Sequence, residues 1–154
     1  MNKRSFDPNE GLPVANGAAR RIARGVCRLL GDMGYATMLE FKLRSRRQVD
    51  VMGLDREARF VIVEVKSSLG DFRADRKWPD YLDYCDLFYF AVDCDFPVIE
   101  LPAECGVIVA DSYSAAVLRP ASEQALNGAR RRAQTLRFAI SAAERLGAAL
   151  DCRV

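Results

Sequence analysis

Three short runs rich in apolar residues follow one another in the first half of this chain, at 36–43, 48–54 and 59–67. Two four-residue polar segments, 44–47 and 55–58, separate them. Connections this short join neighbouring strands as antiparallel hairpins. The pattern therefore predicts three consecutive antiparallel strands, with one hairpin centred on Ser45 and the other on Glu57.

Helical patterns lie on both sides of these strands. Over 16–33, apolar residues recur at helical spacing, opposite a row of arginines. Segment 70–84 is expected to be a loop or helical turn up to Trp78, followed by a short helix with Pro79 in its first turn. Both segments place helical structure next to the predicted strands.

An alanine-rich segment at 122–150 predicts a long C-terminal helix. Ser122 is the expected N-cap, because a serine side chain can accept hydrogen bonds from the first free backbone N–H groups. The arginines of this helix are expected to be exposed to solvent, and a dimer or DNA contact through them is left open: Arg130, Arg131, Arg132 and Arg137.

Two dense apolar runs, 87–92 and 106–110, are typical of strands buried on both faces, and 116–118 is expected to form a last edge strand. The predicted order is α-β-β-β-α-β-β-α, an α/β fold with a central mixed β-sheet flanked by helices. We expect a flexible arm at 1–15 and a single domain at 16–150, whose 50% hydrophobic content suffices for one core.

Composition excludes several kinds of function. The chain contains no histidine, which removes Ser-His and Cys-His nucleophilic pairs and the commonest zinc ligands. Its five cysteines lack Cys-x-x-Cys spacing, so neither a disulfide framework nor a zinc knuckle is expected. No membrane-spanning run or signal segment is evident, which predicts a cytoplasmic protein with no membrane partner. A net charge of +2 means that any nucleic-acid site must come from local clustering of charge.

Ionisable residues interrupt two of the apolar strands. Because side chains alternate between faces, Val49 and Val51 are expected on one face of the second strand and Asp50 on the other. The same alternation puts Glu64 and Lys66 together on the third strand, opposite its core-facing valines. Burial of such groups is costly unless they are paired or used in function.

The hairpin centres set Asp50 opposite Glu64, and Glu40 opposite Asp50. Opposed Cβ atoms lie roughly 4.5 to 5.5 Å apart, so a proton or a cation must neutralise these carboxylates. With oxygen ligands and no imidazole, the expected cation is Mg²⁺ or Mn²⁺. Such a cation can polarise a phosphoryl oxygen of a bound phosphate group. Lys66 can donate to the same phosphate or orient a water molecule. The set predicts hydrolysis of a phosphodiester.

Asp50 followed by Glu64-Val65-Lys66 resembles the Asp, Glu-x-Lys core of the PD-(D/E)XK (restriction-endonuclease-like) nuclease superfamily. The resemblance implies that Asp50 and Glu64 bind the metal ion, that Val65 lends its backbone carbonyl, and that Lys66 assists the attacking water. The first helix lacks the acidic residue that many members carry, and Glu40 is our substitute ligand.

A longer run resembles one branch more closely, the bacterial MmcB family of DNA-repair proteins. It extends from Glu64 through Asp71-Phe72 and Lys77-Trp78 to Tyr84-Cys85-Asp86, and the similarity continues from the first helix to the last. The resemblance implies a divalent-metal-dependent DNA nuclease that acts in repair.

Basic and aromatic residues near the motif are candidate DNA contacts: Lys77, Trp78, Tyr81, Arg44, Arg46 and Arg47. Lysine and arginine would bind phosphates, and an aromatic ring would stack on an unpaired base. The alternative is that the aromatic rings anchor a helix to the sheet and that the charged turn is only solvated.

Other functions remain open at this stage. A catalytically inactive DNA-binding repair module would keep the fold and use the basic turn, and a small-molecule hydrolase or a structural interaction protein is a more distant alternative. The sequence does not choose among single-stranded, duplex and branched DNA, and it leaves a homodimer open.

Overall fold

The computed structural model describes residues 17–150. The predicted arm at 1–15 lies outside the described residues, as do Asn16 and 151–154. The regular elements, in chain order, are α1 (Gly17–Asp32), β1 (Ala36–Lys42), β2 (Gln48–Leu54), β3 (Phe60–Val65), α2 (Leu69–Ala74), a 3-10 helix (Trp78–Tyr84), β4 (Leu87–Val92), a 3-10 turn (Val98–Glu100), β5 (Gly106–Ala110), β6 (Ala115–Arg119) and α3 (Gly128–Ala149).

The six strands form one mixed sheet in the order β1-β2-β3-β4-β5-β6. The first three strands are antiparallel, β3, β4 and β5 are parallel, and β6 returns antiparallel to β5. The pairs Leu39–Val51 and Val51–Val63 reproduce the hairpin centres expected from the polar turns. The predicted fold class is confirmed, including the edge strand and the proline in the first turn of the 3-10 helix.

Both faces of the sheet are buried. On one, which we call the α1 face, Val26 and Leu30 of α1 pack against Val61 and Val63. On the other, the α3 face, Phe138 of α3 lies with its ring centroid 6.2 Å from that of Phe60. The expectation that only the valine side of β3 faces a core was therefore incomplete, because β3 is central and its six residues are all buried.

The alternation of side chains is broken where β1 and β2 pass Glu40 and Asp50. Leu39 packs on the α1 face, but Phe41, two residues on, packs on the α3 face. On the paired strand β2, Val51 packs on the α1 face and Val49 on the α3 face. The prediction that these two valines share a face is therefore wrong. Glu40 has a φ of 51°, in the left-handed region that side chains rarely adopt, and this residue reverses the pleat.

Helix α3 begins six residues later than predicted, at Gly128, with Asn127 as its N-cap instead of Ser122. The segment before it is not helical, and it is tied to the sheet because the backbone N–H of Leu126 donates to the buried carboxylate of Asp86 at 2.9 Å. The prediction that Arg131 is a solvated side chain is also wrong. Its guanidinium pairs with Asp86 at 2.6 Å.

Within the described part of the chain, no helix is both long enough and apolar enough to span a membrane.

Candidate active site at the ends of strands β2 and β3

Asp50 and Glu64 meet where β2 and β3 separate. The paired backbone positions run from Leu54–Phe60 to Val51–Val63. Beyond the last of these pairs, side-chain oxygens accept the hydrogen bonds between the strands instead of backbone carbonyls. The N–H of Asp50 donates to Glu64 Oε1 at 3.0 Å, and the N–H of Val65 donates to Asp50 Oδ2 at 2.7 Å. The two carboxylates predicted to be opposed are thus brought together.

The two carboxylates resist ionisation in this position. Glu64 is 5% exposed, and burial together with the charge of Asp50 raises its pKa to about 9. Burial also raises the pKa of Asp50, although the hydrogen bond from Val65 and the charge of Lys66 oppose the shift. Without a cation, this pair is therefore most stable when it shares a proton.

Each carboxylate keeps one oxygen available for a ligand. Among residues 17–150, none donates a hydrogen bond to Asp50 Oδ1 or Glu64 Oε2. Carboxylate oxygens are the donors that Mg²⁺ and Mn²⁺ prefer, and Mg²⁺ is commonly held by one or two carboxylates together with water and substrate phosphate. The donor set fits such an ion.

Glu40 does not complete a set of three carboxylates. It lies on β1 between the paired positions Leu39 and Phe41, which places it across from Asp50, and its charge contributes to the raised pKa of Asp50. Even so, no group of three or more acidic, cysteine or histidine side chains suited to hold a metal ion exists among residues 17–150. The ligand role that we expected for Glu40 gains no support from its position.

Lys66 lies beside the two carboxylates. The residue is 5% exposed, and its positive charge opposes the rise in the pKa of both Asp50 and Glu64. The ammonium donates to Asp75 Oδ2 at 2.6 Å. An acid, a second acid and a lysine are thus close together on the α3 face, as the spacing of the motif predicted.

Asp75 is the residue of this cluster that sequence reasoning missed as a site residue. Although burial opposes the shift, the hydrogen bond from Lys66 and those from the N–H groups of Lys77 and Trp78 lower the pKa of Asp75 below its ordinary value. Asp75 follows α2, a helix of six residues, and no spacing rule relates such a position to Lys66. The one feature of the sequence that could have pointed to Asp75 was its position within the run that resembles the MmcB family.

The segment after Lys66 turns sharply at α2 and stays close to the site. Ser68 caps α2 by accepting from the N–H of Asp71 at 3.1 Å, and Asp71 in turn accepts from the N–H of Ser67 at 3.3 Å. The charge of Asp71 contributes to the raised pKa of Asp50. A further acidic group therefore lies near Asp50.

Trp78 and Tyr81 occupy positions that fit the anchoring alternative. The indole of Trp78 stacks on Phe88, with 5.8 Å between ring centroids, and meets Phe90 edge-on. Tyr81 is 5% exposed, and its hydroxyl donates to the carbonyl of Gln48 at 3.5 Å. Burial and the charge of Glu64 raise the pKa of Tyr81 to about 12. The two rings thus attach the 3-10 helix to the sheet near the carboxylates.

The predicted basic contacts lie on the surface around the β1–β2 turn. Arg47 pairs with Asp80 at 2.7 Å, which ties the turn to the 3-10 helix. Arg44, Arg46 and Lys77 are exposed, and Arg46 has the left-handed φ of 69° that the tight turn requires. Whether these cations contact DNA stays a prediction.

Comparisons with known proteins add an independent observation. Residues 13–153 match the model of a family described as DNA repair protein MmcB-like. A solved structure of a protein of unknown function from Silicibacter pomeroyi is 45% identical, with a TM-score of 0.82, and the match covers 87% of this chain and 92% of the other. A search of curated proteins found no match.

A repair endonuclease from Pyrococcus abyssi also matches, at 19% identity and a TM-score of 0.36, over 53% of this chain and 40% of the other. Likeness at that level is too low to transfer any property to this chain.

Proposed function

The chain belongs to the MmcB-like family of DNA repair proteins, and from this premise we propose that it hydrolyses DNA phosphodiester bonds with the help of a divalent metal ion. The observation that carries the proposal is the meeting of Asp50 and Glu64, each with one free oxygen, beside the ammonium of Lys66. Glu64 is buried and Asp50 is half-buried, and two acids withdrawn from water in this way are costly to keep unless they bind a cation.

In this proposal, Asp50 and Glu64 would hold Mg²⁺ or Mn²⁺, with Asp50 Oδ1 and Glu64 Oε2 as the available oxygens. The resemblance to the nuclease motif implies that the backbone carbonyl of Val65 would be a further ligand. When bound, such an ion polarises a phosphoryl oxygen and lowers the pKa of a water molecule, which yields a nucleophile near neutral pH. Binding requires Glu64 to give up its proton, because its pKa in the metal-free protein is about 9.

Lys66 has two tasks for which its position is suited. Its ammonium carries three donors, and Asp75 occupies one of them. The others remain to donate to a phosphate oxygen or to orient the attacking water, which stabilises negative charge as it develops in the transition state. Asp75 holds the lysine side chain in place.

The proposal is tested by incubating the protein with labelled single-stranded, duplex and four-way-junction DNA, in Mg²⁺, in Mn²⁺ and in EDTA. We expect metal-dependent cleavage by the wild type and none by Asp50→Asn or Lys66→Ala. Glu57→Gln is the matched control, because Glu57 is exposed at the opposite end of the same two strands and should leave cleavage unchanged. Cleavage that survives in Asp50→Asn would rule the proposal out.

The second candidate is a catalytically inactive DNA-binding repair module of the same fold. The observation that favours it is the tight, buried pair of Lys66 and Asp75, which would neutralise the lysine in a purely structural role. Binding of DNA without cleavage in either metal, together with no calorimetric heat on addition of Mn²⁺, would establish this candidate instead of the nuclease.

A further inference from the structure

A wide groove of about 1020 Å³ runs between α3 and the β1–β2 turn. It does not include Asp50, Glu64 or Lys66 in its lining. The catalytic proposal therefore assigns no role to the residues of this groove, many of which are positively charged.

The groove concentrates positive charge. It is lined by five cationic residues against one acid, Glu144, in a chain whose net charge is only +2. The cations come from the end of β1, the turn after it and three turns of α3: Lys42, Arg44, Arg130, Arg137 and Arg145. Clustering of this kind is what a polyanion requires, since each neutralised phosphate releases bound counterions.

Three of these cations are uncommitted. Within residues 17–150, Lys42, Arg44 and Arg137 form no ion pair or side-chain hydrogen bond. The other two are held in place, since Arg145 donates to the carbonyl of Glu40 at 3.0 Å and Arg130 lies 4.8 Å from the ring centroid of Tyr84. The groove therefore combines fixed and free positive groups.

Apolar side chains lie between the cations. Leu136 is 63% exposed and Ile140 is 49% exposed, and they stand one helical turn apart in a row next to that of Arg137 and Ser141. Duplex DNA presents phosphates to such a surface and gives exposed apolar side chains little to contact. A single strand presents unpaired base faces together with its phosphates, so its bases can bury apolar surface against Leu136 and Ile140 while its phosphates meet the cations.

The position of the groove relates it to the carboxylates. Its wall on β1 includes Phe41 and Lys42, and their neighbour Glu40 lies across from Asp50 in the sheet. We propose that the groove between α3 and the β1–β2 turn binds single-stranded DNA. This inference rests on the proposed function, and it adds to that function the form of DNA that the protein would bind.

The test measures binding apart from cleavage, by fluorescence anisotropy of a labelled oligothymidine strand and of a duplex of equal length, in EDTA. The wild type should bind the single strand more tightly than the duplex. Arg137→Ala should weaken binding of the single strand by roughly five- to tenfold and reduce its salt dependence by about one phosphate contact. Arg132→Ala is the matched control, because Arg132 is exposed on the same helix but lies outside the groove.

The apolar row has its own test. Ile140→Ser should weaken binding of the single strand by roughly threefold and leave the duplex unchanged, whereas Leu146→Ser, an exposed leucine of α3 outside the groove, should alter neither. Equal losses for Arg137→Ala and Arg132→Ala, equal affinity for duplex and single strand, or tighter binding of an RNA strand would each overturn the proposal.

The two proposals fail separately. If the wild type cleaves no DNA but Arg137→Ala weakens single-strand binding in EDTA, the groove stands and the nuclease proposal fails. If the wild type cleaves and Arg137→Ala binds and cleaves as the wild type does, the groove proposal fails and the nuclease stands.

Discussion

Asp50 and Glu64 accept hydrogen bonds from each other's strands, from Val65 N–H to Asp50 Oδ2 at 2.7 Å and from Asp50 N–H to Glu64 Oε1 at 3.0 Å. Backbone N–H groups thus hold the two acids near each other without the help of a cation. Such a pair is suited to binding but costs stability, which is a common trade at functional sites.

The first prediction concerns the stability of the metal-free protein. The pKa of Glu64 is raised from 4.5 to about 9 on folding, so between these pH values the folded state holds a proton that the unfolded chain has lost. Stability must then fall as pH rises through this window. Glu64→Gln should raise Tm in EDTA near neutral pH and flatten its pH dependence, as measured by circular dichroism.

Glu57→Gln is the control for this measurement, since an exposed glutamate on the hairpin between the same strands should leave the profile unchanged. A lower Tm for Glu64→Gln than for the wild type in EDTA would contradict the conclusion that the Glu64 carboxylate destabilises the folded protein when no cation is bound.

The second prediction concerns Asp75 as a positioning residue for Lys66. Lys66→Ala removes a donor to the developing charge and should lower the single-turnover cleavage rate by roughly 10²- to 10³-fold. Asp75→Asn keeps the shape but weakens the 2.6 Å contact, and should lower kcat by about tenfold with little change in KM. The double variant should be no slower than Lys66→Ala alone.

The readout separates positioning from a merely structural role. If Asp75→Asn lowered Tm but left kcat as in the wild type, Asp75 would only stabilise the fold. Glu57→Gln again provides the variant in which neither quantity should change.

Much of the sheet could be predicted from the sequence because local patterns determine it. The polar turns around Ser45 and Glu57 set the register, and that register brought Asp50 to Glu64. The buried strands β4 and β5 could also be predicted, because a continuous apolar run indicates a strand that is buried on both faces.

Other features depend on tertiary contacts that leave no local signal. The pleat reversal rests on a positive φ at Glu40, a residue type that gives no warning of it. The late start of α3 is caused by Asp86, which lies 40 residues before Leu126 and binds its N–H. Asp75 reaches Lys66 through a turn whose path its sequence does not reveal.

The third prediction concerns the buried pair of Asp86 and Arg131. Asp86 also accepts from the N–H groups of Phe60 and Leu126, at 2.7 and 2.9 Å. Asp86→Ala would leave these two N–H groups without their acceptor and would remove the carboxylate partner of Arg131, whose guanidinium would keep only its bonds to the carbonyls of Ala58 and Leu126. The substitution should lower the free energy of unfolding by about 3–5 kcal/mol in urea denaturation. Arg132→Ala, on the exposed side of the same helix, should change it by less than about 0.5 kcal/mol.

Acid should weaken the same pair. Although burial opposes the shift, the hydrogen bonds from Arg131 and from two backbone N–H groups hold the pKa of Asp86 below 3.8. Its stabilising contribution is therefore complete above that pH and is lost as pH falls through the lower folded-state value. If Asp86→Ala and the wild type differed equally in Tm at pH 7 and at pH 2, this assignment would be refuted.

The fourth prediction uses two glycines of α1 that differ in their surroundings. A Cβ at Gly25 would lie 2.3 Å from the carbonyl oxygen of Asp111 and 3.0 Å from that of Ser114, whereas one at Gly31 would meet nothing within 4 Å. Gly25→Ala must push α1 away from the β5–β6 turn and should cost about 1–3 kcal/mol in urea denaturation. Gly31→Ala should instead stabilise by roughly 0.5–1 kcal/mol, because alanine loses less backbone entropy in a helix. The close packing of α1 on the sheet would be contradicted if the two variants had the same stability.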